Sequence, residues 1–151
     1  MYRLERDIEL AVSAEDLWQF VATPGNLNAI TPPELHFEIL TSVPERMYNG
    51  LMILYRVRVP LLGRTDWLTE IKHIRPGLSF VDEQRRGPYR LWYHYHEICA
   101  LGPARSRMID RVDYQLPFGP LGRMVHRALI GRTLERIFDY RSQALVERFG
   151  G

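Results

Sequence analysis

The stretch from Glu34 to Leu116 most restricts what this chain can fold into, because it reads as one strand after another before the pattern changes. Segments at about 34–42, 50–59, 65–75, 78–86, 89–101 and 105–116 carry the patterns of half-buried strands. Turn signals separate them: Pro44 to Gly50, Pro60 to Gly63, Pro76-Gly77, Gly87-Pro88 and Gly102-Pro103. Connections this short make antiparallel hairpins, since a parallel pair needs a long crossover. Beyond Leu116 the period changes. Leu121, Met124, Val125, Ala128, Leu129, Leu134, Ile137, Phe138, Ala144 and Leu145 recur at helical spacing with no proline among them. That predicts one amphipathic helix of about thirty residues, roughly 45 Å long. Its apolar face has to cover a sheet.

The chain opens with strict alternation, Tyr2, Leu4, Arg6, Ile8 and Leu10 against Arg3, Glu5, Asp7 and Glu9, which is a strand with one wet face. Ser13 with Asp16 three residues on is a capping-box-like helix start, and Leu17, Phe20 and Val21 give that helix an apolar side. Pro24, Gly25 and Thr31-Pro32-Pro33 punctuate a second short helix around Asn26 to Ile30. The expected class is α+β: a first strand, two short helices, six antiparallel strands and a long C-terminal helix. Residues 1–151 read as one continuous domain, with no repeat or linker. A curved sheet that grips one helix leaves space between the two, a candidate ligand cavity.

Several stretches carry a resemblance. They are NLNAITPPELHFEI at 26–39, FVDEQRRGPYRLWYHYHEI at 80–98, DRVDYQLPFGPLG at 110–122 and LERIFDYR at 134–141. In this order the chain resembles the START-like, birch-pollen-allergen-like (SRPBCC) superfamily. It is similar in particular to a bacterial cyclase/dehydrase-like subgroup, near the G-type subunit of carbon monoxide dehydrogenase. The resemblance implies a helix-grip fold: a curved antiparallel seven-stranded sheet around the C-terminal helix. Members include lipid carriers, hormone receptors, coenzyme Q-binding proteins and aromatic polyketide cyclases, so the fold does not name a function.

Bulk properties exclude some classes. The net charge is +2, and the arginines are scattered from Arg3 to Arg148 rather than clustered, which argues against a nucleic-acid binder. The RNP pattern of RNA-binding sheets is missing as well. Cys99 is the only cysteine, so neither a disulfide nor a multi-cysteine zinc site is expected, and its apolar strand context suggests a buried inert thiol. MYRLERDIEL does not read as a signal peptide, and no apolar run is long enough to span a bilayer. The expectation is a cytoplasmic protein with no stable membrane insertion.

Candidate chemistry concentrates in two neighbouring strands. On 89–101, Trp92, His94, His96 and Ile98 share one face, while Leu91, Tyr93, Tyr95, Glu97 and Cys99 share the other. On the next strand Met108, Asp110, Val112, Tyr114 and Leu116 form the apolar stripe, which makes Asp110 a lone acid among buried positions. If the 101–105 turn is a three-residue loop, His96 falls opposite Asp110; a one-residue slip breaks the pairing. A buried carboxylate needs a partner. The expected cavity wall is Trp67, Trp92, His94, His96, Asp110 and Tyr114, with His94, His96 and Asp110 as polar anchors. Whether Asp82 and Gln84 or Glu83 face inward is open, because the turn RRGPYR closes in either register.

His94-x-His96 with Asp110 matches the ligand types of a two-histidine, one-carboxylate metal centre, but that spacing is common in strands and Trp92 points to packing. No metal and no cofactor is expected. Lys72 lies on the wet face opposite Trp67, Thr69 and Ile71, which argues against Schiff-base chemistry. The leading function is binding of a hydrophobic small molecule: a lipid, an aromatic polyketide-like compound or an isoprenoid/quinone-like one. The alternative is a cyclase/dehydratase-type enzyme with His96 and Asp110 as its acid–base pair. Tyr93 and Tyr95 facing outward suit packing or a homodimer surface. Gly131 serves either close helix–sheet approach or ligand room. Leu61 and Leu62 are either a turn tip folded inward or a lip touching lipid or a delivering partner.

Overall fold

A computed structural model describes residues 1–151. Seven antiparallel strands form one sheet in the order β1-β7-β6-β5-β4-β3-β2, so the first strand closes onto the last. The strands are β1 (Tyr2–Leu10), β2 (Glu38–Ile39), β3 (Met52–Val59), β4 (Gly63–Arg75), β5 (Ser79–Arg86), β6 (Leu91–Gly102) and β7 (Arg105–Gln115). Helix α1 (Ala14–Val21) follows β1, with Ser13 Oγ accepting from the Asp16 N–H as the capping pattern anticipates. At the other end, α2 (Gly119–Val125), a wider turn over His126–Ile130 and α3 (Gly131–Phe149) run on as one helical span.

Two features depart from the sequence reading. The strand expected at 34–42 is only the two-residue β2, because Pro32 and Pro33 hold Pro33–Leu35 in a tight 3₁₀ turn. The long helix is also not uniform. Its π turn at His126–Ile130 adds a residue and rotates the apolar face between α2 and α3. Beyond the turn, Leu134, Phe138 and Leu145 are buried against the sheet, whereas Leu121 and Met124 of α2 protrude into solvent.

Glycines explain how this span is attached. A Cβ on Gly122 would lie 2.2 Å from the Pro117 carbonyl oxygen, so only glycine lets α2 start that close to the preceding strand end. Gly131 makes room for neither the sheet nor a ligand. A Cβ there would meet the His126 ring at 3.2 Å. That ring stacks on Tyr2 at 3.5 Å and bonds the Tyr114 hydroxyl through Nε2 at 2.7 Å, tying the π turn to β1 and β7.

Packing divides the space between sheet and helix in two. Leu10, Leu17, Phe20, Ile30, Ile98, Met108 and Leu145 fill one part solidly, with Leu10, Leu17, Met108 and Leu145 fully buried. The larger apolar cluster, built on Trp67, Trp92, Ile53, Phe80, Leu134 and Phe138, surrounds a hollow instead. On the outer face, charges pair across strands: Arg3 with Asp113, Arg56 with Asp66, Arg111 with Glu5, Arg107 with Asp7 and Lys72 with Glu83. Cys99 lies on this outer face and is half-buried rather than buried, because residues 91–99 alternate with Trp92, His94, His96 and Ile98 inward.

Candidate functional site

The hollow is a cavity of about 210 Å³, walled by β3, β4, β5, β6, the turns after α1, and α3. Apolar cavities of ~150 Å³ already take up benzene, so this one has room for more than a single ring. Trp67, Trp92, Ile53, Phe80, Leu134 and Phe138 make most of it greasy. Among its polar residues, Asp82 from β5, His94 and His96 from β6 and Arg141 from α3 lie together.

Strand register puts them there. Phe80 pairs with His96 and Asp82 with His94 across β5 and β6. His96 pairs with Asp110 across β6 and β7, as expected from the short turn. The side chains close a ring of contacts. Asp82 Oδ2 lies 2.5 Å from His96 Nε2 and 3.4 Å from His94 Nδ1. Asp110 Oδ1 lies 2.8 Å from His94 Nε2 and 3.0 Å from His96 Nδ1. The two imidazoles stack with centroids 3.6 Å apart, and Phe80 stacks on the other side of His96 at 4.1 Å. Arg141 completes the group, with Nε 3.5 Å from Asp110 Oδ2.

Electrostatics follow from burial and these contacts. Burial alone would raise the Asp110 pKa, but Arg141, His94 and His96 outweigh it and hold the carboxyl well below its usual range. Asp82 is likewise pulled down against its burial by His94 and His96. Burial and the neighbouring His96 lower the His94 pKa, whereas for His96 the hydrogen bonds to Asp110 and Asp82 overcome burial and raise it. These opposite shifts make His96 the more readily protonated ring of the pair. With one proton there, two carboxylates, one imidazolium and Arg141 sum to zero, a charge-balanced buried group.

The structure sorts the anticipated residues. Trp67, Trp92, His94 and His96 line the cavity. Asp110 and Tyr114 do not: Asp110 sits behind the two histidines, and Tyr114 packs behind Trp92 against Tyr89 and His126. The open register resolves in favour of Asp82. Gln84 bonds the Tyr89 backbone on both its N–H and carbonyl, and Glu83 turns outward to Lys72. Arg141 is a member of the site that the strand patterns do not point to. A signal for it exists, since Leu134, Phe138, Arg141 and Leu145 form one helical stripe with a lone cation in it. It is the counterpart of the lone Asp110 on the β7 stripe.

Asp82, His94 and His96 are also metal-ligand types, with donor atoms within 4.8 Å of one another. Each imidazole nitrogen already faces a carboxylate oxygen, and the Arg141 guanidinium lies beside Asp110, so these donor atoms are engaged with one another. Two N–H groups of the wall, Trp67 Nε1 and Arg141 Nε, are buried without a hydrogen-bond acceptor. Groups of that kind ask for a partner.

Three solved structures share this architecture. An aromatase/cyclase, ZhuI from Streptomyces sp. R1128, superposes with a TM-score of 0.74 at 18% identity, covering 97% of this chain and 92% of its own. A START superfamily protein from Mycobacterium smegmatis gives 0.67 at 17% identity, covering 97% and 99%. The fold is the START-like helix grip. Norcoclaurine synthase from Thalictrum flavum, a point mutant in complex with a transition-state analogue, gives 0.64 at 16% identity, covering 97% and 95%. At these identities the likeness establishes the SRPBCC-type fold and nothing finer. Neither a protein-family model nor a curated protein matches the sequence.

Proposed function

We propose that the chain binds a hydrophobic small molecule in the sheet–helix cavity, with the ligand's polar end against Asp82, His96 and Arg141. One observation carries this reading: an apolar cavity of about 210 Å³ with a buried, charge-balanced ion cluster set into its wall. A cluster serving only to fix strand register needs no cavity beside it. The ligand class is a lipid, an aromatic polyketide-like compound or an isoprenoid/quinone-like one. It carries an acceptor oxygen, because Trp67 Nε1 of the cavity wall is buried with no hydrogen-bond acceptor. Native mass spectrometry of the protein purified from its own host tests the reading. A co-purifying compound of this kind supports it; an empty protein that also fails to quench its Trp67 and Trp92 fluorescence with 1-naphthol contradicts it.

A second reading, cyclase/dehydratase chemistry, is favoured by the Asp82–His96 contact of 2.5 Å on the cavity side. Asp82, rather than Asp110, is then the base beside His96, and Asp110 orients both rings from behind. In a dehydration Asp82 takes the proton from the carbon next to a carbonyl, the C–O bond of a β-hydroxyl breaks with the His96 proton, and water leaves as the double bond forms. His96→Gln should abolish such turnover of a β-hydroxy ketone while leaving its affinity within a few-fold. Equal losses of affinity and turnover would assign His96 to binding alone.

A further inference from the structure

Beside the cavity lies a second apolar hollow of about 130 Å³, which shares Val59, Pro60, Tyr89 and Ile130 with it. Its rim is the β3–β4 turn and the start of α2. The rim displays Leu61, Leu62, Phe118 and Leu121 to solvent, with Leu61 and Phe118 each 75% exposed, and Met124 of α2 is exposed as well. Isolated surface leucines are ordinary, but four large apolar side chains around one hollow are a patch.

Backbone conformation sets the same residues apart. Leu61 and Phe118 both sit in the left-handed region, at φ 72° and 71°. Bulky residues avoid that conformation, and glycine or asparagine would hold it at less cost. Two separate segments thus bear strain while directing a Leu and a Phe into water, which neither stability nor solubility rewards.

Charge around the rim is one-sided. The segments that build it, 57–65, 84–96 and 114–134, contain no Asp or Glu. Arg58, Arg90, Arg123 and Arg127 are exposed there, each within two residues of a residue lining the hollow, and none is ion-paired. The outer sheet face differs, since Arg3, Arg56, Arg107 and Arg111 all have carboxylate partners.

We propose that this rim docks peripherally on a bilayer bearing anionic phospholipid headgroups, placing the second hollow, which adjoins the cavity, against the acyl region. Exposed apolar side chains ringed by unpaired arginines suit that boundary: the chains enter the hydrocarbon edge and the guanidinium groups meet phosphates. No helix is long and apolar enough to cross a membrane. Docking stands independently of which molecule fills the cavity.

Co-flotation of the full chain with lipid vesicles tests it. Vesicles of phosphatidylcholine with about one-third phosphatidylglycerol should carry the protein at ~0.05 M salt and release it at ~0.5 M, where charge is screened. Phosphatidylcholine alone should carry little. The double variant Leu61→Asn, Phe118→Asn should bind about tenfold more weakly, while its melting temperature holds or rises, because Asn accepts the left-handed backbone. Arg123→Gln with Arg127→Gln, at exposed helical positions, should weaken binding and flatten its salt dependence. Failure of the wild type to float with the anionic vesicles would overturn the proposal, as would unchanged binding by both variants. A wild-type dimer that the Asn variant abolishes, with no vesicle binding, would instead assign the rim to self-association and overturn it equally.

Discussion

Replacing Arg141 by Met isolates what holds the buried cluster together. The side chain is 8% exposed and places Nε 3.5 Å from Asp110 Oδ2, in a group whose charges otherwise balance. Met keeps the apolar stem and removes the cation. With one imidazolium and two carboxylates left, the cluster carries a net buried charge of −1. Breaking a buried pair from one side costs ~3–5 kcal/mol. Here the cost should depend on pH, because His94, whose pKa burial and His96 hold down in the wild type, can take up a proton and restore the balance. At pH 8 that protonation is unfavourable and the full loss of about 3 kcal/mol should appear, or roughly 6–12 °C in melting temperature. Near pH 6 the loss should be smaller than at pH 8, since an imidazole freed of the neighbouring guanidinium charge is then more easily protonated. Urea unfolding at both pH values, read as a midpoint shift at constant m, measures this. A loss below ~0.5 kcal/mol at pH 8, or one equal at the two pH values, would refute the charge-balance reasoning.

Acid should unfold the protein through the same group. Asp82 and Asp110 have folded pKa values below their unfolded ones, so their stabilisation is fully present above about pH 4 and is lost as pH falls through the folded values. Asp110→Asn should flatten that acid limb by about one proton in a stability–pH profile measured by urea unfolding. Gly122→Ala should cost ~2–3 kcal/mol through the clash with the Pro117 carbonyl, and a neutral result in thermal melts would show that the strand end yields freely. Ser13→Ala removes the cap on α1 and should cost about 1 kcal/mol by the same assay.

Alternation in the sequence is enough to place most of this architecture. Strands β3 to β7 follow from period-two patterns bounded by Gly and Pro, as do the inward faces of β4 and β7, and the His96–Asp110 register follows from a short turn. The departures have physical causes. Apolar Leu35, Phe37 and Ile39 alternate like a strand across 34–42, yet the pair Pro32-Pro33 imposes a turn just before them. Helical spacing across 121–145 hides the π turn, since a one-residue insertion alters which face is buried without leaving a compositional mark. Asp82 is not assignable from sequence because the β5 side of the hairpin lacks a one-sided pattern. Arg141 is legible in principle as a cation on an apolar stripe. Its pairing with Asp110 is not, because that contact depends on how the helix is phased on the sheet.

Whether a molecule in the cavity meets the buried cluster can be read at the imidazole nitrogens. Long-range proton–nitrogen NMR of the chain resolves five histidines, of which His36 and His73 are exposed, do not line the cavity and serve as internal references. On saturation with 1-naphthol, the His94 and His96 signals should shift and their protonation profiles change, while His36 and His73 stay in place. Binding of 1-naphthol, shown by quenching of Trp67 and Trp92, with His94 and His96 unmoved would contradict the placing of the ligand's polar end against the Asp82–His96 side of the cluster.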